Sequence, residues 1–333
     1  MKKKLFPLVV TSLLSLTACG SKQYQPSDYK VKSLKYHDGF KILQLTDIHL
    51  SDKDDAQRHF DFMNLTVNDE KAKDADLIVV TGDLFTFASR ATAKRLFNYL
   101  DGIGKPWTVV FGNHDEQCYF PVTWMTDYLN NFGSNCRFLD LQDDNVFGNC
   151  NFTMDLVDDS NNTKFQLIFM DSNRYDFSSS FGYDHIKKDQ VEWYEEVVKA
   201  NGGVKSFMFS HIPLPEINPA WENCADKETP DKVVNGSVVG EKREKTCPPD
   251  TDPAVEDLFE KIVELGSTKG MFFGHDHVNT FNVTYQGVLF SYGIKSTDRI
   301  YFDEDLLGGQ VITIDDVNNF HVEHIFHTYE EVK

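Results

Sequence analysis

The sequence predicts an α/β protein with a substantial sheet covered by helices, and two observations carry that prediction. Short apolar runs rich in Val, Ile and Phe recur along the chain, each closed by polar residues, as buried strands are. Several of the stretches between them carry apolar residues at helical period, and strands alternating with helices imply a sheet with helices packed on it. The runs read as strands are Lys41–Leu45, Leu77–Val80, Trp107–Phe111, Gln166–Met170, Ser206–Phe209, Met271–Phe273 and Val288–Ser291. The clearest helices are Ala88–Leu100, Lys187–Ala200 and Pro253–Leu265, the last with Asp252 as N-cap before Pro253 at the first helical position. Two segments break the rhythm: a Ser/Gly loop at Phe177–Asp184 and a long, charged, Pro-rich stretch at Pro213–Thr251. The second is too long for a simple connector, and such loops usually shape a site or a contact.

Composition narrows the function. With 33 Lys+Arg against 52 Asp+Glu the net charge is −19, so no nucleic-acid-binding surface is expected. At 41% hydrophobic the chain can bury a full core. Lys2, Lys3 and Lys4 precede an apolar stretch, Leu5–Ala18, shorter than the roughly 20 residues that span a bilayer, so residues 1–18 are expected to be an export signal. It ends in Leu16-Thr17-Ala18-Cys19, which resembles the lipobox of bacterial lipoproteins. That resemblance implies a mature protein lipidated at Cys19 and held at a membrane of the bacterial cell envelope. Residues 19–38 are polar and read as a tether, leaving 39–333 as a single domain with an insertion at about 215–253. Five further cysteines make an odd number; Cys224 with Cys247 is the most natural bracket and Cys136 with Cys150 a weaker pair. No two cysteines stand at zinc-finger spacing, so a thiolate metal site is not expected.

Function is carried by the polar clusters at the strand ends. Asp47-Ile48-His49, Gly82-Asp83, Gly112-Asn113-His114-Asp115, Ser210-His211 and Gly274-His275-Asp276-His277 each stand just past an apolar run. Carboxylate, imidazole and amide groups are ligands for borderline metals, and sites in open α/β sheets form beyond the carboxyl ends of strands. Two metals about 3.5–4 Å apart need a shared ligand, which a carboxylate can be and an imidazole cannot. Asp83 is the expected bridge. Asp47, His49 and one histidine of the last cluster complete one metal; Asn113, His211 and the other histidine complete the second.

These clusters, in this order, resemble the calcineurin-like metallophosphoesterases, from Asp47 to His277. The resemblance implies a four-layer αββα sandwich of two mixed β-sheets flanked by helices. It assigns Asp47, His49, Asp83 and His277 to one metal and Asp83, Asn113, His211 and His275 to the other. It implies that His114 touches the scissile phosphate and assists the leaving group. The Ser210–Glu216 stretch, Asp171-Ser172 and the Tyr183-x-x-Ile186 to Gln190-x-x-Trp193 pattern are similar to a purple acid phosphatase-like branch. Two departures stand out: Thr86 occupies the place of that branch's tyrosine ligand, and His49 is a histidine the purple enzymes lack. A tyrosinate-to-iron colour is therefore not expected, and iron, manganese and zinc all stay open.

The implied activity is hydrolysis of small phosphomonoesters by a metal-bridging hydroxide; a phosphodiesterase acting on nucleotides or lipid head groups is the alternative, and a non-catalytic binding lipoprotein on the same scaffold is a third reading. Oligomeric state is not legible. Asp115 and Asp276 are expected to orient metal-bound imidazoles. His321, His324 and His327 read as a solvated surface. The insertion, with its Lys242-Arg243-x-Lys245 run, is read either as a selector of the leaving group or as surface decoration.

Overall fold

A computed structural model describes residues 32–53, 55–140, 145–176, 182–224, 240–249 and 258–332. The expected signal, Cys19 and the Asp252-Pro253 helix start lie outside these residues.

The strands are β1 (Lys32–Lys35), β2 (Phe40–Leu45), β3 (Leu77–Thr81), β4 (Trp107–Val110), β5 (Phe152–Val157), β6 (Thr163–Phe169), β7 (Tyr175–Asp176), β8 (Gly182–Tyr183), β9 (Ser206–Phe209), β10 (Thr268–Phe273), β11 (Asn282–Tyr285), β12 (Val288–Tyr292), β13 (Leu307–Asp316) and β14 (Asn319–His327). The helices are α1 (Ala56–Val67), α2 (Arg90–Gly102), α3 (Val122–Asn130), α4 (Lys188–Ala200), α5 (Ile217–Cys224) and α6 (Leu258–Leu265). One sheet has the order β1-β5-β6-β9-β10-β12-β11, a second β14-β13-β2-β3-β4, and β7 and β8 form a separate ribbon. Within the first, β6, β9, β10 and β12 run parallel; within the second, β2, β3 and β4 do.

Period-two burial explains the layering. Along β6, Phe165, Leu167 and Phe169 join one apolar core while Ile168 joins another; along β9, Phe207 and Phe209 join the first and Met208 the second. The first core lies between the sheets and continues under α1, α2 and α3. The second lies beneath α4, α5 and α6. The sheets meet directly: the Phe207 ring lies edge-on to Phe320 of β14 at 4.8 Å. A buried amide also links them, Gln44 Nε2 donating to Thr81 Oγ1 at 2.8 Å and across to the Phe273 carbonyl at 3.2 Å. The mixed α/β architecture expected from the strand and helix pattern is therefore observed, as two large mixed sheets with six helices among the described residues.

Several expectations change. Residues 32–35 of the expected tether form β1, paired parallel with β5, and Leu34 packs against the core. With Lys and Ser around that one apolar residue, the edge strand reads as polar linker. Strands β5, β7, β8, β11, β13 and β14 and helices α1, α3 and α5 are additional elements: Gly308-Gly309 interrupts the β13 pattern, and the exposed face of β14 is rich in His, Glu and Asn. Cys136 and Cys150 are free, buried thiols, not a bridge. Cys136 Sγ donates to the Leu129 carbonyl at 3.7 Å and Cys150 Sγ accepts from Phe111 N–H at 3.3 Å, so each behaves as a small core side chain. Cys118 and Cys247 are also free thiols, and the side chain of Cys224 lies outside the described residues.

Candidate metal centre

The parallel strands of both sheets deliver their polar clusters to one edge of the sandwich. Asp47, His49, Asp83 and His275 all have positive φ, at 53°, 51°, 49° and 79°, a left-handed conformation that non-glycine residues adopt at a cost and that clusters at functional sites. Backbone bonds hold the first three there: His49 N–H donates to the Asp83 carbonyl at 2.8 Å and Asp47 N–H to that of Gly82 at 3.2 Å. The glycines before the clusters answer mainly to crowding. Gly82 has φ +83°, and a Cβ on it would stand 2.5 Å from His211 Nδ1; on Gly112 it would stand 2.3 Å from Asp83 Oδ1.

The donors converge. Ligand atoms of Asp47, His49, Asp83 and His277, all buried, lie within 4.8 Å of one another. His49 Nε2 is 3.0 Å from His277 Nε2 and 3.5 Å from Asp83 Oδ2, and His277 Nε2 is 3.4 Å from Asp47 Oδ1. Asp83 Oδ2 also lies 3.2 Å from His211 Nε2 in the other sheet, and the His211 and His275 rings are edge to face at 5.2 Å. Asn113 Oδ1 and His275 Nε2 are buried with no hydrogen-bond partner, and the buried His211 Nε2 faces Asp83 Oδ2. Buried acceptors are normally satisfied, so these atoms, together with the four-residue cluster, fit a pair of cations sharing Asp83.

Neighbours set the direction of each donor. His211 Nδ1 donates to the Thr81 carbonyl at 2.8 Å and His277 Nδ1 to that of Tyr301 at 2.9 Å. A carbonyl only accepts, so in the neutral rings the Nε2 lone pairs face the centre. His49 Nδ1 is 2.8 Å from Thr86 Oγ1, and Asn113 Nδ2 donates to Tyr175 Oη at 2.9 Å, which turns its carbonyl oxygen inward. The two departures from the purple pattern are therefore one feature: the hydroxyl standing where a tyrosine ligand would be positions the additional histidine. Thr86→Val, near-isosteric but without the hydroxyl, is expected to weaken metal binding about 10–100-fold without unfolding the chain. Titration against a chelator dye checks this, and unchanged affinity would refute the positioning role.

Electrostatics agree with neutral imidazoles at His49, His275 and His277 beside anionic carboxylates. Burial pushes His275 down to about 3 and lowers His49 and His277. Burial alone would raise Asp47 and Asp83, but the surrounding imidazoles hold both below the usual carboxylate range. Burial would likewise lower His211, yet Asp83 beside it lifts the ring to about 10, showing how strongly the carboxylates draw positive charge. Lys295 is buried at the same edge, its Nζ donating to the Asp47 carbonyl at 2.7 Å, and burial brings it down to about 8. The strand β12 that precedes it ends in no His, Asp or Asn cluster, so Lys295 carries no sequence signal beyond its place after an apolar run.

Asp115 and Asp276 do not orient imidazoles. Asp115 accepts from the backbone N–H groups of Phe85 and Gly112 at 3.0 and 2.8 Å, fixing the loops of Asp83 and Asn113. Asp276 accepts from Tyr292 Oη at 2.5 Å and from Cys247 N–H at 3.2 Å, tying the insertion to the histidine loop. Backbone carbonyls and Thr86 take over the expected task because they lie directly behind the rings. His114 donates its backbone N–H to Asp83 Oδ1 at 2.8 Å, its ring lies 5.1 Å from that of His49, and its Nδ1 is held by Gln117 Oε1 at 2.8 Å.

The purple-like motifs support the centre from behind. Ser172 Oγ accepts from Ile212 N–H at 2.9 Å, Gln190 Nε2 donates to the Asp171 carbonyl at 2.7 Å, and the Tyr183 ring meets His275 edge-on at 4.4 Å. In the insertion, Arg243 is paired with Glu241, Asp303 and Asp305, and Lys242 lies over the Trp221 ring, so these two members of the basic run are engaged with the protein itself. His321, His324 and His327 lie on β14, where a spacing of three alternates faces. His321 is exposed beside Asp315, whereas His324 is half-buried, 3.1 Å from Asn282 Nδ2, and pushed down to about 4 by burial, so the trio is not a uniform solvated surface.

Comparisons with known proteins agree with this arrangement. Among curated proteins, the chain is 27% identical over 309 residues to "Probable inactive purple acid phosphatase 14" of Arabidopsis thaliana, covering 80% of this chain and 73% of that one. It is 26% identical over 330 residues to "Probable inactive purple acid phosphatase 29" of the same plant, covering 88% and 81%. Its fold is similar to that of a dimetal phosphatase from Danio rerio, with a TM-score of 0.50 at 13% identity, over 86% of this chain and 99% of the other. Residues 40–279, which hold every expected metal ligand, match the family described as "Calcineurin-like phosphoesterase". The order of the strand-end donors, the paired sheets that gather them and that match over most of the chain lead to one conclusion: this protein belongs to the calcineurin-like phosphoesterase family.

Proposed function

We propose that the protein hydrolyses small phosphate monoesters with a pair of divalent or mixed-valence metal ions. The observation that carries this reading is the convergence of two donor sets on Asp83, one a tight cluster and the other His211 Nε2 beside that carboxylate with two buried atoms without partners, Asn113 Oδ1 and His275 Nε2. Asp47, His49, Asp83 and His277 would hold one ion; Asp83, Asn113, His211 and His275 the other. Such a pair supplies positive charge to the phosphoryl group and makes water acidic enough to attack near neutral pH. The chain's own contribution is alignment. Thr86, Thr81 and Tyr301 aim the imidazoles, and Gln117 holds Nδ1 of His114 so that Nε2 is the end left to face an ester. A proton carried there would pass to the leaving oxygen as its bond to phosphorus breaks.

The names of the Arabidopsis relatives favour a second reading, a metal-binding protein without turnover. The two separate in one experiment: the protein is loaded in turn with Mn, Zn and Fe and assayed on p-nitrophenyl phosphate and its bis-ester. Turnover of the monoester that chelation abolishes and metal restores supports the proposal. Stoichiometric metal with no turnover on either ester supports the second reading. Metal is also expected to raise the melting temperature, since a ligand at 100 times its Kd adds about 2.7 kcal/mol to the native state.

A further inference from the structure

We propose that the centre prefers esters whose organic group is compact and apolar, of benzyl or aryl type, seated on a rim formed by Phe87, Tyr119, Ile300 and Tyr301. The inference rests on the phosphoesterase reading and names the substrate class for it. Seven large hydrophobic residues are exposed among those described, and these four, at 54%, 69%, 49% and 46% exposure, lie on segments attached to metal ligands by chain order or hydrogen bond. Phe87 follows Thr86, whose hydroxyl positions His49. Tyr119 is its neighbour, its N–H donating to the Ala88 carbonyl at 3.0 Å. Ile300 precedes Tyr301, whose carbonyl holds His277 and whose ring stacks on that imidazole at 4.1 Å.

The two halves of the rim belong to one wall. Thr86 N–H donates to the Leu50 carbonyl at 3.2 Å, and Arg299 Nη2 reaches Ser51 Oγ at 3.4 Å, so the loops carrying Phe87 and Ile300 are both attached to residues 50–51. His114 lies against His49, whose Nδ1 meets the hydroxyl of Thr86, the residue before Phe87; on this proposal an ester oxygen facing His114 places its carbon group toward Phe87. Backbone conformation points the same way. Phe87 has φ 52° and Ile300 φ 68°; positive φ is costly for a β-branched residue such as Ile300, and neither residue recovers that cost by burying its own side chain. Glu244, bonded to Tyr301 Oη at 3.0 Å, makes the wall unfavourable for a second anionic group. Apolar surface beside a few convergent polar groups is the usual composition of a small-molecule site.

The test compares benzyl phosphate with ethyl phosphate, whose leaving alcohols have similar acidity, on the full-length Mn-loaded protein and its Phe87→Ser and Ile300→Ser variants. The wild type is expected to favour the benzyl ester about tenfold in kcat/KM, and each variant to lose several-fold of that preference because benzyl-ester turnover falls more than ethyl-ester turnover, with metal content retained. Equal turnover of both esters by the wild type, or a ratio that neither variant changes, overturns the proposal. If neither ester turns over, the rim is judged by calorimetry with benzylphosphonate and methylphosphonate, and the phosphoesterase reading fails only if p-nitrophenyl phosphate is not turned over either. Benzyl-selective binding that the variants lose then sustains it, and equal or absent binding refutes it.

Discussion

Asp83→Asn is expected to give a folded protein that fails to retain its metal complement and hydrolyses p-nitrophenyl phosphate at least about 10³-fold more slowly. The reason lies in the partners of the two carboxylate oxygens. Oδ1 accepts the His114 N–H at 2.8 Å, so an asparagine would place its own oxygen there to avoid opposing two donors. Its NH₂ then occupies the position of Oδ2, 3.2 Å from His211 Nε2 and 3.5 Å from His49 Nε2, where an amide nitrogen cannot ligate a cation. The variant also loses the carboxylate that lifts His211 to about 10, so the metal-free variant should melt somewhat lower than the metal-free wild type at neutral pH, and ligation is read from the loss of the metal-induced rise in melting temperature. Elemental analysis and paired melting curves read both effects. Full metal content and activity in the variant would remove Asp83 from its role between the two donor sets.

Gly274→Ala should damage stability and metal binding together. An added Cβ would stand 2.0 Å from Thr46 Oγ1 and 2.4 Å from Asp47 Oδ2. Thr46 has little room to yield, since its hydroxyl is within hydrogen-bond distance of Asp47 Oδ2 at 2.8 Å and of the Thr81 carbonyl at 3.0 Å. The expected cost is about 1–3 kcal/mol of stability from overpacking, with Asp47 displaced and the cation of its cluster lost. Gly102→Ala is the control, because a Cβ there meets nothing within 4 Å. It should be neutral or slightly stabilising at the end of its helix. Urea denaturation together with metal analysis decides the matter. A Gly274→Ala protein with native stability and full metal content would show that the loop adapts.

Legibility differed between donors and their supports for a physical reason. Asp47, His49, Asp83, His211, His275 and His277 stand just past apolar runs, and a donor there is set by local chain order; the structure places all six at one edge. Thr86, Gln117, Tyr175 and Lys295 hold the centre just as directly, yet their identities are ordinary and their partners lie across loops and sheets. Asp115 and Asp276 show the converse. Their place inside the clusters suggested service to the rings, whereas the nearest groups needing a partner were backbone N–H groups and a tyrosine hydroxyl. The cysteines mislead similarly: the expectation of export invites pairing, but Cys136 and Cys150 each sit against a backbone group in the core.

Chain order alone determined the class of fold and which residue types are offered to a cation, because strands demand apolar runs and the polar groups just beyond them have few other uses. Tertiary structure decided the rest: that His49 answers to Thr86, that glycine is required at 112 and 274 by crowding, and that one wall of the centre is apolar. Those properties depend on distances between segments far apart in the chain, and such distances exist only once both sheets have packed face to face.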